Sequence, residues 1–251
     1  MNDLKDKVVL VTGASTGIGA AVAQEFGRRG ANVVVHYFSS RDAASAVADQ
    51  IDASGQRVLT VQGDLRHTPD CESLVAETVR KFGRIDVLIN NAGALVKRVP
   101  ITDMTDEIFE DVVNLNVRST LMCTRYAVPH MPQGASIINL TSVAARNGGG
   151  PGSSLYAGSK GFVSTITKGL AKELIPRKIR VNAVAPGVIT TPFHEKFTTA
   201  QQLEAMMSSI PMGRLGTAQE CVGAFLYLAS DALSGYVTGQ IIEVNGGQYM
   251  P

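Results

Sequence analysis

The sequence predicts an α/β protein: a doubly wound parallel sheet of about seven strands with helices on both faces. Three observations lead there. Short β-branched runs alternate with helical patterns along nearly all of the 251 residues, a rhythm that calls for right-handed strand–helix–strand crossovers. The strand runs are almost continuously apolar, as strands covered on both faces must be. A glycine-rich turn, Thr12 to Gly19, follows the first run and opens the first helical pattern. With 45% hydrophobic and 18% charged residues the chain has the composition of a folded globular protein.

In chain order the strands are predicted at 8–11, 33–35, 58–61, 87–89, 137–140, 181–184 and 241–244. Helices are predicted over 18–29, 41–54, 69–82, 106–131, 156–175 and 218–228. No linker, repeat or low-complexity tract interrupts them, so residues 1–251 are read as a single domain. One connection, 186–217, breaks the rhythm and carries Phe193, Phe197, Leu203, Met206, Met207, Ile210 and Met212. A helical excursion packed on the core would explain it. Because it leaves a strand's carboxyl end, where open α/β sheets bind ligands, a substrate lid at about 190–215 is the sharper expectation.

A formal charge of +1 gives no field for nucleic acid or acidic lipid. Cys71, Cys123 and Cys221 are widely spaced and read as buried thiols of a reducing compartment. The first residues lack the apolar core of a signal peptide, and no apolar stretch would cross a bilayer, so a cytoplasmic protein is expected. His36, His67, His130 and His194 show no ligand spacing, and no metal is expected.

The chemistry is carried by Ser142, Tyr156 and Lys160. Tyr156 and Lys160 are four apart in a helical run and share a face. A nearby ammonium favours a phenolate, so the lysine should lower a tyrosine pKa from about 10. A serine hydroxyl from another segment could then hold a carbonyl or hydroxyl oxygen beside the phenol. Alone, the Tyr-x-x-x-Lys pair is weak evidence, since a surface helix with a partly buried tyrosine reads the same. The glycines at 13, 17 and 19 do not spell G-x-G-x-x-G, yet their logic is that of a dinucleotide turn. Backbone approaches a pyrophosphate, and a helix N-terminus offers N–H groups and a favourable dipole. Asp64 and Asn90-Asn91-Ala92-Gly93 end the third and fourth strands and extend that rim.

These residues, in this order and spacing, resemble the short-chain dehydrogenase/reductase family from about residue 7 to 247. The family's T-G-x-x-x-G-x-G fits Thr12 to Gly19, its adenine-side acid fits Asp64, and N-N-A-G fits 90–93. Its catalytic tetrad fits Asn116, Ser142, Tyr156 and Lys160. Its P-G motif followed by Thr fits Pro186, Gly187 and Thr191. The gap from Ser142 to Tyr156 is about one residue longer than usual, and the glycine-rich run 147–152 can absorb it.

The resemblance implies a Rossmann-type fold and an NAD(P)(H)-dependent enzyme acting on CH–OH groups without a metal. Tyr156 is implied as general acid/base, Ser142 as donor to the substrate oxygen, and Lys160 as partner of Tyr156 and of the nicotinamide ribose. Asn116 is implied to hold a water that links Lys160 to solvent. It also implies a cofactor contacted by Gly13, Ser15, Thr16, Gly17, Ile18, Gly19, Tyr37, Ser39, Ser40, Arg41, Asp64, Leu65, Asn91, Ala92, Gly93, Pro186, Gly187, Ile189 and Thr191, besides Tyr156 and Lys160. No acid stands near Tyr37, where NAD-selective relatives carry aspartate, and Ser39, Ser40 and Arg41 could take a 2′-phosphate, although they could equally cap a helix. Thr16, where many NADP-preferring relatives have Arg or Lys, argues the other way. NADP(H) is favoured, with NAD(H) as the second option.

The intact tetrad favours a dehydrogenase or ketoreductase over a non-catalytic dinucleotide-binding protein or a sugar-nucleotide epimerase. The segment 130–134 lacks the basic residues with which 3-oxoacyl-carrier-protein reductases meet their acidic carrier, and Arg177 and Lys178 supply only part of such a patch. The reading therefore leans to a small polar or sugar-derived carbonyl, with the carrier-protein reductase as alternative. The resemblance also implies a homotetramer, or failing that a homodimer. Leu121, Met122, Tyr126, Val128, Phe162, Val163, Ile166 and Leu170 exceed what one sheet face would cover.

Overall fold

The computed structural model describes residues 2–191 and 199–251. Phe193, His194 and Phe197 lie outside the described residues. Seven parallel strands form one sheet: β1 (Val8–Val11), β2 (Asn32–Tyr37), β3 (Val58–Gln62), β4 (Val87–Asn90), β5 (Ser136–Leu140), β6 (Arg180–Pro186) and, last in chain order, β9 (Ile241–Val244). Their spatial order is β3-β2-β1-β4-β5-β6-β9. The order reverses between β1 and β4, and such a switch point opens a crevice at the strands' carboxyl ends.

Alternate residues of each strand feed two cores. Val9, Val11, Val33 and Val35 face a core shared with helices α1 (Gly17–Arg28) and α2 (Arg41–Asp52) and with the helix Ala218–Ala229. Leu10, Val34, Leu88 and Ile137 face the other, under α3 (Thr68–Phe82), α5 (Ser119–Ala127) and α7 (Ser154–Leu174), the last preceded by the four-residue α6 (Ala144–Asn147). Covering both faces explains why the strands read as unbroken apolar runs. A buried polar chain crosses the sheet's centre. Asn90 Nδ2 donates to Asn139 Oδ1 at 2.9 Å, and Asn139 Nδ2 donates to Thr167 Oγ1 at 2.9 Å. It ties β4 and β5 to α7, the helix that carries Tyr156 and Lys160.

Two predicted features differ. The single helix expected over 106–131 is α4 (Asp106–Val113), a π-helical turn (Asn114–Arg118) and α5, closed by a 3₁₀ turn at Val128–His130. Widening a helix by one residue frees a carbonyl, and here Asn116 Nδ2 donates to Val112 O at 2.9 Å. The connection after β6 is pinned at its stems by a two-residue parallel ladder, β7 (Ile189–Thr190) with β8 (Gly216–Thr217). Of its apolar residues, Met206 lines the cleft, Ile210 is buried, and Met207 and Met212 are exposed. Among the described residues no helix is long and apolar enough to cross a membrane. Cys71, Cys123 and Cys221 are free and buried.

Candidate active site

One cleft of about 830 Å³ runs along the carboxyl ends of the strands. Its walls gather every predicted cofactor and catalytic residue except Tyr37, Arg41 and Asn116. The first wall is the turn from β1 into α1. Gly13 and Gly17 adopt φ of +63° and +58°, and a Cβ on Gly19 would stand 2.4 Å from Gly13 O and 2.5 Å from Asn91 Nδ2. Only glycine lets these segments close up. Thr12 locks the turn to the end of β4. Its Oγ1 accepts from Asn91 N and Ala92 N, both at 2.9 Å, while Asn91 Nδ2 donates to Thr12 O at 2.8 Å and Gly13 O at 2.9 Å. The N-terminus of α1 is thereby aimed at the cleft, a cradle that suits a pyrophosphate.

Two residues expected at the cofactor, Tyr37 and Arg41, do not lie on the cleft wall. Tyr37 has the same parity on β2 as Val33 and Val35, so its ring is buried among the residues under α1 and α2 rather than in the cleft. Arg41 opens α2 and is exposed outside the cleft. The cleft positions are Phe38, Ser39 and Ser40, and the Ser40 side chain makes no capping hydrogen bond.

Sequence reasoning missed three residues at this end. His36 is almost wholly buried. Its Nδ1 accepts from Gly13 N at 2.9 Å and its Nε2 faces Gly63 O at 3.1 Å, an arrangement that joins the glycine turn to the end of β3. Burial pushes its pKa down to about 4, so the ring is neutral and Nε2 carries the proton. Arg66 holds Asp64 through a 2.7 Å pair, holds Asp111 through another at 2.7 Å, and lies 5.7 Å above the Phe38 ring. That partner holds the Asp64 carboxyl below the usual range. Nothing in a lone histidine, phenylalanine or arginine announces such roles; only the pairing of β2 with β3 does.

At the other end, Ser142 follows β5 and Tyr156 lies in the first turn of α7, hydrogen-bonded to the Ser142 side chain. Ser142 Oγ also accepts from Ala144 N at 3.1 Å. Lys160, one turn on, is buried and donates from Nζ to Leu140 O at 2.9 Å. Its ammonium lies 5.8 Å from the centre of the Tyr156 ring. Asn116 sits behind Gly93 rather than on the cleft wall. Its Nδ2 also donates to Ala94 O at 2.9 Å, and its buried Oδ1 has no protein partner. A Cβ on Gly93 would fall 2.6 Å from Asn116 Oδ1 and 2.9 Å from Lys160 Nζ, so the absent side chain is what lets these two groups converge.

The expected lowering of the tyrosine pKa is not what the geometry gives. Burial pushes Tyr156 up to about 12, against the opposing effect of the Ser142 hydrogen bond. Burial also pushes Lys160 down to about 8. Loss of solvent, not the neighbouring ammonium, dominates both groups, and at neutral pH both carry their protons.

The family model described as enoyl-(acyl carrier protein) reductase matches residues 13–248. An uncharacterized oxidoreductase of Methylorubrum extorquens is 41% identical over 249 residues, 98% of this chain and 99% of its own. A 3-oxoacyl-[acyl-carrier-protein] reductase of Synechocystis is 39% identical over 252 residues, covering 100% of both. Among solved structures, an NADH-dependent reductase responsible for alginate metabolism superposes with a TM-score of 0.91 at 38% identity, over 100% of both chains. With the glycine turn, the Ser142–Tyr156 pair and the buried Lys160 in one cleft, these likenesses agree, and the chain belongs to the short-chain dehydrogenase/reductase family of oxidoreductases.

Proposed function

We propose that this protein moves hydride between a nicotinamide dinucleotide and a secondary alcohol or ketone, with Tyr156 as general acid/base. The observation that carries the reading is the hydrogen-bonded Ser142–Tyr156 pair on the cleft wall, with Lys160 and Asn116 converging behind Gly93. The residues present suit the cofactor: a cradle that a Cβ on Gly19 would fill, a helix N-terminus, and the strand-end rim from Asp64 to Gly93. When bound, the dinucleotide supplies or accepts the hydride. In reduction, Ser142 and Tyr156 hold the substrate carbonyl oxygen, and Tyr156 gives up its phenolic proton to the alkoxide that forms there. A tyrosine pushed up to about 12 is in the donating form at neutral pH. The Lys160 ammonium stabilises the phenolate left behind, and a water between Lys160 Nζ and the unpartnered Asn116 Oδ1 would return a proton to it.

NADP(H) is favoured. The side chains that end β2 in the cleft, Phe38, Ser39 and Ser40, include no carboxylate to repel a 2′-phosphate, and Asp64 is neutralised by Arg66. The NADH-dependent relative makes NAD(H) the second option. A Ser39→Asp variant is expected to lower the preference for NADPH over NADH by at least about tenfold in kcat/KM, since like charges then face each other. An unchanged ratio would place the discrimination elsewhere.

The substrate is read as a small polar or sugar-derived carbonyl, with carrier-protein thioesters as the alternative that the Synechocystis relative supports. The chain is proposed as one catalytic domain acting in the cytoplasm, with 190–215 as a lid: Gln202, Ala205 and Met206 line the cleft. A homotetramer, or a dimer, is supported by the exposed rings of Phe109 on α4 and Phe162 on α7, although Val163 is buried within the subunit. Sedimentation of an active monomer would remove both assemblies. A panel of sugars, sugar acids, simple ketones and acyl thioesters, followed by nicotinamide absorbance, tests the main reading; it expects turnover of a polar ketone and fails if nothing in the panel is turned over.

A further inference from the structure

Beyond β9 the chain turns back into the substrate end of the cleft, and Asn245 fixes that turn. Its Oδ1 accepts from Gly247 N at 3.0 Å, while its Nδ2 donates to Tyr249 O at 2.9 Å and to Glu243 Oε2 at 3.3 Å. Glu243 is held in its turn by Arg146 of α6 at 3.0 Å, and the Arg146 guanidinium lies 5.6 Å from the centre of the Tyr249 ring. The other side of the turn meets the connection after β6. Met212 N donates to Gly246 O at 3.1 Å, and a Cβ on Gly246 would stand 2.8 Å from Ile210 Cγ2. Residues 245–249 are therefore a firm support, and they bring Gln248 to the cleft wall.

Gln248 meets the end of the helix Ala200–Ser208. Ser209, the next residue, gives its only hydroxyl proton to Met206 O at 2.7 Å. Towards any other neighbour its oxygen can only accept. Gln248 Nε2 donates to it at 2.9 Å. That bond fixes which way the amide faces, and the carbonyl Oε1 is left buried with no partner among the described residues. An unmatched buried acceptor is costly, so the bond to Ser209 is made against that cost.

Little else holds this helix. Its N-terminal cap is its own, Thr199 with Gln202, and Ser208 Oγ donates to Ala205 O within it. Of residues 201–208 only Leu203 and Met206 are half-buried; the others are exposed. Among the described residues, the bond from Gln248 is the one hydrogen bond between 199–209 and a distant part of the chain. We infer that Gln248 is a positioning residue for the substrate: its amide latches the helix Ala200–Ser208 to the segment after β9 and so holds the outer wall of the substrate end in place. This deepens the reading of that helix as part of a lid, and rests on it. The latch acts through Gln202, Ala205 and Met206, which the helix presents to the cleft.

The test compares the parent with Gln248→Ala, Ser209→Ala, the double variant and Ser209→Thr, which keeps the hydroxyl. Hydrogen exchange of the amides at 203–208, without substrate, reads the latch itself. It should quicken by about fivefold in both alanine variants, as loss of one hydrogen bond predicts, and stay near the parent rate in Ser209→Thr. The double variant should exchange no faster than the single ones, because either change already opens the latch. With NADPH and the polar ketones and sugars of the panel above, KM should rise by a similar factor, with kcat within about twofold and dinucleotide affinity at the parent value. Unchanged exchange in Gln248→Ala overturns the latch and leaves the oxidoreductase reading standing. Faster exchange with an unchanged KM overturns the positioning role, and the lid reading falls with it. KM effects that add in the double variant would mean that each side chain meets the substrate separately, which also overturns the latch. If the parent turns over nothing in the panel, the oxidoreductase reading fails, and the positioning role fails with it even where exchange reports the bond.

Discussion

Between β3 and β1 the cleft wall is mostly main chain, whereas between β4 and α7 it is mostly side chain. At the first end the groups that matter are N–H groups and carbonyls of the Thr12–Gly19 turn, fixed by Thr12, Asn91 and His36. At the second end a phenol on the cleft wall is backed by a buried ammonium and a buried amide. A site made of backbone tolerates almost no added atoms. A site made of side chains tolerates change in shape but depends on the titration state of a few groups.

The largest expected effect sharpens the second half of that comparison. Tyr156→Phe keeps the ring and removes the proton, so kcat should fall by about 10³- to 10⁴-fold, the upper part of what a positioned acid contributes, while dinucleotide binding changes little. A variant that retains most of its turnover would remove Tyr156 from the reaction.

Gly19→Ala tests the backbone end. Its methyl would stand 2.4 Å from Gly13 O and 2.5 Å from Asn91 Nδ2, neither of which can withdraw without opening the β1–α1 turn. Overpacking of this kind costs about 1–3 kcal/mol, and because the turn is the cradle itself, dinucleotide affinity should drop by about 100-fold. Titration of the nicotinamide by fluorescence measures it, and parent-like affinity would mean that this wall is more pliant than its packing indicates.

Much of this contrast was legible in the sequence, and unevenly so. Glycine spacing reports backbone shape directly, so the turn from β1 into α1 and its close packing were legible from Gly13, Gly17 and Gly19 alone. Tyr156 and Lys160 were legible for a similar reason, because helical spacing fixes a shared face. The register of β2 was not. A strand buried on both faces shows no alternation, so the sequence cannot tell whether Tyr37 or His36 looks towards the cleft. Arg66 is a single arginine whose meaning comes in part from Asp111, 45 residues away. The π turn at Asn116 lies within an unbroken helical pattern and becomes visible only when Val112 O is seen bonded to a side chain.

Buried ionisable groups at the side-chain end also make a prediction about pH. Lys160 is pushed from near 10.5 to about 8. Below pH 8 both folded and unfolded chains hold the proton, and the full cost of burying the charge is present. Between about pH 8 and 10.5 the unfolded chain binds more protons, so stability rises with pH. Above pH 10 the opposite holds for Tyr156, whose folded value of about 12 exceeds its ordinary 10, and stability falls. Relative to Lys160→Met, the dinucleotide-free parent should therefore gain about 2 kcal/mol between pH 7.5 and 9.5. Denaturant melts of both proteins measure the difference, and parallel pH profiles would mean that Lys160 is better solvated than its position indicates.

The smallest expected effect concerns the helix of the proposed lid, Ala200–Ser208, which adds Gln202, Ala205 and Met206 to the side-chain end. Its start is fixed by a reciprocal cap: Thr199 Oγ1 accepts from Gln202 N at 3.2 Å, and Thr199 N donates to Gln202 Oε1 at 2.9 Å. Nine residues are too few to hold a helix without help, and most of this one is exposed. Removing the hydroxyl in Thr199→Ala should cost about 1 kcal/mol locally. Because the short β7–β8 ladder separates the segment from the main sheet, that loss should open the lid rather than unfold the protein. KM for substrate should rise by about fivefold, the equivalent of 1 kcal/mol, while dinucleotide affinity and Tm stay near the parent values. A Tm that falls in step with KM would show the helix to be part of the cooperative core, and the contrast between a fixed cofactor wall and a yielding substrate wall would then fail at its most exposed point.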